Sequence, residues 1–564
     1  MGLAATTALA NGADVEGGAT TDALNLSYVQ AAIEHARAKI QPVPGSGKLR
    51  GTWSYGGKEY ACRDNLLATA GAIYESSSTG WVEVDLGSTI AFTGGLDAGN
   101  VGFTKGETVS GGSSSVTAIV VDVVKSSGDW TAGTAVGILY VNSVVGGSFF
   151  SETLTGESSG ITATGAANTV VAVVAGGRYE FINENFYGQL SQRGMYGVDG
   201  KNPGFMITKF GFRQIPTGMV DDTPSHVNEH KKHLFYSFKG GSVQHSPTGD
   251  PGNIWTPILG AAEIGTGDEV TGFMTLPGNV FGILNRNSSY ILSGSGAGSW
   301  VLDQHSDEAG AIEWTNQRLG SPIYFDDRGL MEFTQTQAFG DFRDASFSER
   351  IRKTLTANKG NVLSSMRVKS KNQYRLFFNT NVFVICTFED RKVSGFTLCE
   401  YPIPVECSAS TEDSAGNEIL LFGSDTGYVY QADKGTSFDG AEVGAFIRIA
   451  FNFINKSEYN KEYLKAVFEV DSTEAVAIDF TPDFDYGESE DITQSLAVAA
   501  AGGTWDVSLW DQFVWGDQLI SNPVAYLDGL GQNIGITLYS SHTYEPVHTI
   551  NSTIIHYINR GRVR

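Results

Sequence analysis

The sequence predicts a mainly β protein: a β-propeller with an inserted small β domain, a C-terminal β-sandwich and one N-terminal amphipathic helix. Three observations carry this expectation. Between His230 and Ile351, short runs such as HLFYSF, FGILNR, SYILSG, SPIYFDD and GLMEFTQ hold β-branched, aromatic and aliphatic residues, punctuated by Gly, Asn, Asp or Pro. That is the pattern of successive antiparallel strands. No helical period separates the runs, whereas parallel crossovers need a dozen or more intervening residues, so the meander fits a propeller better than a parallel sheet. Glycine accounts for 69 of 564 residues, well above the usual ~7%, which suits many tight turns.

Taken in order, residues 1–21 are small, Gly/Ala-rich and nearly uncharged, and should form an arm that is flexible or ordered by a partner. Residues 22–90 should hold a helix and the first sheet. Asn25 or Ser27 can cap the helix, Gln30 completes a capping box from Ser27, and Val29, Ala32, Ile33, Ala36 and Ile40 make an apolar stripe that Pro42 and Pro44 end. The stretch LRGTWSYGGKEYACRDNLLATAGAIYESSSTGWVEVDL then alternates strand and turn signals.

Residues 91–176 change character, with very few Lys or Arg and much Gly, Ser, Thr, Val and Ala. Here ETVSGGSSSVTA, starting at Glu107, aligns without a gap against ETLTGESSGITA, starting at Glu152. Two copies are too few for a solenoid, so a small two-unit β domain inserted in a loop is expected. Arg178 resumes the main pattern, Asp221 to Asn228 is a polar connector, and strand signals continue to about Gly440. This assigns 177–440 to the propeller and leaves room for a discontinuous propeller sequence. Residues 441–564 carry alternating strands such as FIRIAFNFI, AVAIDFTPDF and QNIGITLYSS, as in a sandwich. Trp505, Trp510 and Trp515 lie five apart, so a straight strand would put them on alternating faces unless a bend intervenes.

The formal net charge of −24 opposes tight, static nucleic-acid binding, which needs Lys and Arg to displace counterions. It leaves open a wall along which DNA slides. Cys62, Cys386, Cys399 and Cys407 have no CxxC spacing and read as buried free thiols. There is no run of eighteen apolar residues, and MGLAATTALANGADVEGG has neither the basic start nor the apolar core of a signal peptide. Synthesis and assembly in a reducing cytoplasm, without membrane insertion, are expected.

Each candidate for chemistry meets a plainer explanation. PGSGKL, with Gly47 and Lys48, resembles a phosphate-binding loop, but Pro42 stands where Gly is needed and Leu49 where Ser or Thr is needed. A helix end followed by a turn explains it. His226, His230 and His233 could share a helix face and hold zinc, but their stretch runs into a strand and includes Lys231 and Lys232, so a solvated turn is expected. Asp479, Asp483 and Asp485 lack the Gly and terminal Glu of an EF-hand and read as a solvated acidic loop. GSGAGSW near Gly296 opens no helix and reads as a hairpin turn. SPTGDPGNIW, Ser246 to Trp255, resembles the Asp-box turn of sialidase propellers, a structural motif away from catalysis. A propeller glycosidase needs paired carboxylates on inner strands, which sequence cannot pair. No catalytic, cofactor-binding or metal-binding residue is assigned.

The phrases HLFYSFKGGSVQHSPTGDPGNIW, GAIEWTNQRLGSPIYFDDRGL and SFSERI, together with YACRDN, GWVEVDL, TWDVSLWDQFVW and the final HYINRGRVR, resemble the tail tubular or nozzle proteins of short-tailed bacteriophages, relatives of packaged-DNA stabilisation proteins. The resemblance runs from about Tyr28 to Arg564, is weakest in the Gly-rich stretch after Thr93, and rests on phrase order. It implies a non-enzymatic virion protein without cofactors, a homohexameric ring below the portal and adaptor. Its implied partners are the adaptor ring, tail needle or fibre proteins, and double-stranded DNA retained and then conducted during ejection. The alternative is a receptor-binding or glycan-hydrolysing propeller at the virion surface.

Overall fold

Strand-forming runs separated by turn residues give seven four-stranded antiparallel sheets in which sequence neighbours are also spatial neighbours. The computed structural model describes residues 41–562, apart from 499–521 and several shorter stretches, together with the strands Leu3–Ala5, Leu26–Ser27 and Ile33–His35. The first sheet comprises Ser46–Tyr55, Lys58–Asp64, Gly71–Ser77 and Gly80–Glu83. Five more occupy 180–214, 226–265, 270–306, 317–346 and 362–400. The seventh combines Cys407–Glu412, Glu418–Gly423 and Val429–Ala432 with Ile33–His35.

The first strands of these sheets pack side by side. Ser46–Tyr55 lies against Glu180–Glu184, followed in turn by His226–His230, Val270–Leu276, Gln317–Leu319, Val362–Val368 and Cys407–Glu412, which returns to Ser46–Tyr55. This closed circle is a propeller-type arrangement whose sequence is interrupted between its first and second sheets. One apolar cluster fills each space between neighbouring sheets: Phe181, Tyr60 and Met195 between first and second, Phe235 and Phe281 between third and fourth, Leu49, Leu421 and Cys407 between seventh and first. The remaining spaces are filled the same way. Side chains also tie inner strands laterally. Asn183 donates to the Ser54 carbonyl at 2.8 Å, and Gln317 and Ser408 both donate to the Ser365 carbonyl at 3.0 Å.

Closure uses both ends of the circle. Lys48 pairs with Glu406 at 2.7 Å, and the N–H groups of Val43 and Leu49 donate to the carbonyls of Gly427 (2.9 Å) and Ser424 (3.0 Å). Ile33–His35 runs antiparallel along Tyr430–Ala432. The expected N-terminal helix is therefore not what the described residues form: Leu26–Ser27 pairs with His548–Arg562, and Ile33–His35 is a strand. A three-stranded seventh sheet would expose a row of backbone donors and acceptors at Val429–Ala432, and pairing them outweighs helix preferences that differ by only ~0.7 kcal/mol per residue. Val29, Ala32, Ala36 and Ile40 lie outside the described residues. So does most of the 1–21 arm, of which Leu3–Ala5 runs parallel to Val443–Asn452. The one α-helix among the described residues is Arg352–Asn358.

The insert begins at Ser88 and is a barrel. Around it run Ser88–Leu96, Ala135–Val145, Thr117–Ser127, Thr108–Gly111, Glu152–Gly156 and Thr162–Gly165, which pairs back onto Ser88–Leu96. Ile90, Phe92, Val120, Trp130, Leu139 and Leu154 fill its interior. The two sequence repeats meet about a local dyad, with Ser110 opposite Thr155. Each repeat's glutamate holds the other repeat's turn. Glu152 accepts from the N–H groups of Ser113 (2.7 Å) and Ser114 (2.8 Å) and from the Ser114 hydroxyl (2.6 Å). Glu107 accepts from the N–H of Ser159 and from its hydroxyl, both at 2.9 Å. A Cβ on Gly111 or Gly156 would strike these carboxylates, which explains glycine at the same place in both copies. Asp122 of the barrel pairs with Arg213 of the second sheet, both buried, and with Lys105 at 2.7 Å, docking the insert on the ring.

From Val443 onwards two sheets face each other across Ile447, Ile478, Phe480 and Leu538 on one side and Tyr463, Phe468, Ala525 and Ile550 on the other. This is the expected sandwich, and the N-terminal strands Leu3–Ala5 and Leu26–Ser27 add one strand to each of its sheets. The three spaced tryptophans 505, 510 and 515 lie outside the described residues.

Burial raises the Glu152 pKa, but the Ser114 hydroxyl and the three N–H donors of Ser114, Ser113 and Phe150 outweigh it and bring it down from 4.5 to about 2. A carboxylate held below its unfolded value stabilises fully above pH ~4.5 and progressively less as pH falls towards 2. Glu152→Gln and, by the local dyad, Glu107→Gln should each cost about 1.5–3 kcal/mol. Hydrogen exchange across 107–163 should show faster barrel opening in both variants, and unchanged protection in both would refute the crossed-glutamate latch.

Candidate functional site

The segment following the fourth sheet reaches across to residues of the second and third sheets before entering the fifth. Its path is fixed by hydrogen bonds from Ala311 N–H to the Asn285 carbonyl and from Ile312 N–H to the Phe325 carbonyl, both 2.8 Å, and from Asn316 to the Phe273 carbonyl at 2.8 Å. The Tyr374 hydroxyl donates to the Thr315 carbonyl at 2.8 Å. Between these anchors Trp314 adopts φ 66°, a left-handed conformation costly for an aromatic residue. It places Glu313 and Trp314 against residues of the second and third sheets.

Five groups meet there. His226 is buried, with Nδ1 2.7 Å from Glu180 and Nε2 3.3 Å from Glu313. The Trp314 ring lies 5.1 Å from the imidazole, and the Arg178 guanidinium stacks over the same indole at 4.4 Å. Burial alone would lower the His226 pKa, but the charge and hydrogen bond of Glu180, reinforced by Glu313, raise it from 6.5 to about 9. At neutral pH this is an imidazolium between two carboxylates. Nδ1 is hydrogen-bonded to Glu180, whereas Nε2 faces Glu313 at 3.3 Å without a well-aligned hydrogen bond, and an imidazolium that already carries both protons cannot take one from a substrate. The arrangement is a clamp that pins the crossing segment to the second and third sheets.

The three candidate histidines do not converge. They flank a two-residue hairpin turn formed by Lys231 and Lys232, whose φ values are 49° and 62°. The expectation of a solvated turn holds for the lysines only, because strand alternation and sheet packing bury all three imidazoles. His230 lies 5.2 Å from the Phe281 ring, and burial, then Lys231 and His233, push its pKa down to about 4. His233 contacts the Ser246 carbonyl at 2.6 Å and the Thr248 hydroxyl at 2.8 Å. Among the described residues no group of three His, Cys, Asp or Glu side chains is placed to hold a metal ion.

Other candidates also resolve into structure. PGSGKL does not follow a helix. Gly45 and Gly47, with φ 121° and 69°, turn the chain into the first inner strand, and Lys48 serves ring closure. Asp479 and Asp483 are not loop residues but lie within the strand Val476–Phe484, with Asp483 buried and 3.6 Å from Arg448. Asp485 accepts from the Gln532 N–H at 2.6 Å. GSGAGSW joins the antiparallel pair Ser289–Ser293 and Val301–Ser306, as expected. SPTGDPGNIW connects the third and fourth strands of the third sheet, where Trp255 stacks on Tyr236 at 5.1 Å. All four cysteines are free and buried.

No family model matches the chain, and no curated protein matches it. Solved structures similar to it include BBS1N in complex with ARL6DN, 10% identical over 51% of this chain and 88% of that one, with a TM-score of 0.31. Virginiamycin B lyase from Staphylococcus aureus is 8% identical over 60% and 97%, with a TM-score of 0.32. The computationally designed Ika8 protein is 8% identical over 70% and 99%, with a TM-score of 0.32.

A histidine whose folded pKa is raised contributes stability that is complete below pH 6.5 and is lost as pH rises through about 9. The melting temperature should therefore fall between pH 6.5 and 9 in the native chain, while His226→Gln should start lower at pH 6 and decline less. Parallel pH profiles for the two proteins would exclude the imidazolium clamp.

Proposed function

We propose that this chain is a structural subunit of the tail nozzle of a short-tailed bacteriophage, assembling as a homohexameric ring that prolongs the portal and adaptor channel. The observation that carries the reading is the order of the nozzle-like phrases, now attached to structural roles. HLFYSFKGGSVQHSPTGDPGNIW supplies two strands of the third sheet and the connection after them. GAIEWTN is the crossing segment with its clamp. SFSERI leads into the helix Arg352–Asn358, and HYINRGR ends the longest sandwich strand. The phrases thus fall on packed elements of the circle and of the sandwich, which suits a component that must withstand internal pressure.

Function in this reading is mechanical and electrostatic. Each subunit brings a net charge of −24, and a ring multiplies it, so a wall built from such subunits lets duplex DNA slide without counterion-releasing grip. The adaptor ring and needle or fibre proteins are its partners in the virion. Among the described residues no helix is long and apolar enough to cross a membrane.

End-on electron micrographs of the purified protein, alone and with its adaptor, should reveal six-fold rings, and duplex affinity should be weak and abolished by modest salt. A closed monomer that depolymerises a host polysaccharide, or nanomolar duplex binding at physiological salt, would overturn the assignment.

A further inference from the structure

Between the inner strands of the fifth and sixth sheets lies a cavity of about 370 Å³ lined by Arg318, Leu319, Gly320, Arg367, Lys369 and Asn372. It is cationic in a chain with 62 acidic and 38 basic residues. The fold builds it deliberately. Gly320, with φ 71°, turns the short strand Gln317–Leu319 back on itself, and Asn372, with φ 49°, does the same after Val362–Val368. Gln317 locks the two strands together through the Ser365 carbonyl and hydroxyl at 3.0 and 3.1 Å. Arg367 donates to the Arg318 carbonyl at 3.3 Å, so the two arginines are held as neighbours.

The nearby carboxylates are already committed. Glu412 pairs with Lys369 at 2.7 Å. Glu418 accepts from the N–H groups of Lys369 (2.8 Å) and Ser370 (2.9 Å) and from the Ser410 hydroxyl at 2.9 Å. No ion pair joins Arg318 or Arg367 to a carboxylate among the described residues. Burial lowers the Arg367 pKa, Glu418 and Glu412 raise it, and the like charge of Arg318 lowers it again. Arg318, Arg367 and Lys369 thus stand beside two carboxylates, Glu412 and Glu418, at a depression open to solvent, which leaves an excess of positive charge that an anion can answer.

We propose that this cavity is a binding site for a tetrahedral oxyanion, a phosphate or sulfate group carried by a small ligand. The cations of the lining outnumber the adjacent carboxylates, and the planar N–H forks of Arg318 and Arg367 suit the oxygens of such a group. The Asn372 amide adds a neutral donor. A polymer fits less well: duplex binding needs many phosphate contacts, and this is one recess on an acidic molecule. The inference is independent of the nozzle reading.

The test titrates the full-length protein with inorganic phosphate and with sulfate, against chloride at matched ionic strength, following thermal stability and phosphorus NMR line width. Glucose 6-phosphate, glucose 6-sulfate and a short DNA duplex serve as further probes that separate the sources of the group. Saturable binding of the small oxyanions is expected, weakened at least tenfold in Arg367→Gln and in Arg318→Gln, with the unliganded melting temperature retained in at least one variant. Lys434→Gln, outside the cavity, should bind as the native chain does. Phosphate acting no differently from chloride would overturn the proposal, as would binding unchanged in the two arginine variants. Duplex bound more tightly than every small oxyanion through the same arginines would overturn the small-ligand assignment.

Discussion

The circle of sheets depends on one junction, where the seventh sheet meets the first. In an open array of twisted sheets the terminal faces would leave Leu49, Ala61 and Tyr74 on one side and Leu421 and Val429 on the other in water; closure buries them against each other. At ~25 cal/mol per Å² of apolar surface, this burial is the main reward for closing, and polar contacts determine its register. The Lys48–Glu406 pair and the two backbone hydrogen bonds from Val43 and Leu49 fix how the faces meet. Ile33–His35 then completes the seventh sheet with chain that precedes the first. Beside that strand, fully buried Arg375 of the sixth sheet binds both carboxylate oxygens of Asp433 at 2.8 and 2.6 Å and the Gln373 side chain at 2.7 Å. Removing one member of such a buried pair leaves a desolvated charge, typically costing 3–5 kcal/mol. The closing junction is therefore held by apolar contact and backbone pairing, and the buried ion pair ties the neighbouring sixth sheet to the seventh.

A stable circle tolerates an insertion wherever two chain ends lie close on its surface. The barrel occupies such a place, and its own closure makes it independent of the host sheets: every strand edge from Ser88 round to Thr162–Gly165 is paired. What remains is to fix its orientation. Asp122 does this by pairing with Arg213 and Lys105, while the Arg213 guanidinium also stacks 4.6 Å from the Tyr140 ring. The duplicated ETxxGxSSxxTA pattern encodes a local two-fold in which each glutamate is useful only to the other copy. This interdependence explains why the pattern occurs twice.

Local signals in the sequence were enough for the strands. HLFYSF, SPIYFD and QYRLFF form strands that are buried almost throughout, because β-branched and aromatic side chains bounded by turn residues have few other ways to satisfy both packing and backbone pairing. The sandwich and the insert were legible through changes in composition. The fate of Ile33 was not, because its helical spacing is a local property and its partner, Ala432, belongs to the far end of the chain. The clamp was hidden for the same reason. His226 was visible as a histidine, but Glu180, Glu313 and Arg178 acquire meaning only when the circle brings the starts of several inner strands together. The adjacent Glu and Trp in GAIEWTN were the available signal, and they entered the reading as part of a resemblance. The three histidines invited a shared helical face, whereas a two-residue turn at Lys231 and Lys232 pairs His230 with His233 beside Trp300 and leaves His226 apart, against Glu180 and Trp314.

The distribution of cations follows from these constraints. Lys48, Arg178, Arg213, His226 and Arg375 each hold one part of the chain against another, and their positive charge is already answered by carboxylates or an indole. A passing polyanion can recruit only cations that are free to turn towards it, and these are not. The acidic excess on the rest of the molecule is then opposed by scattered exposed lysines, whose pairs in water contribute at most ~1 kcal/mol each and weaken further with salt. Lys48, Arg178, Arg213, His226 and Arg375 are in this way used as internal ties. The two arginines between the fifth and sixth sheets, open to solvent beside Glu412 and Glu418, are the departure from that pattern on which the proposed oxyanion site rests.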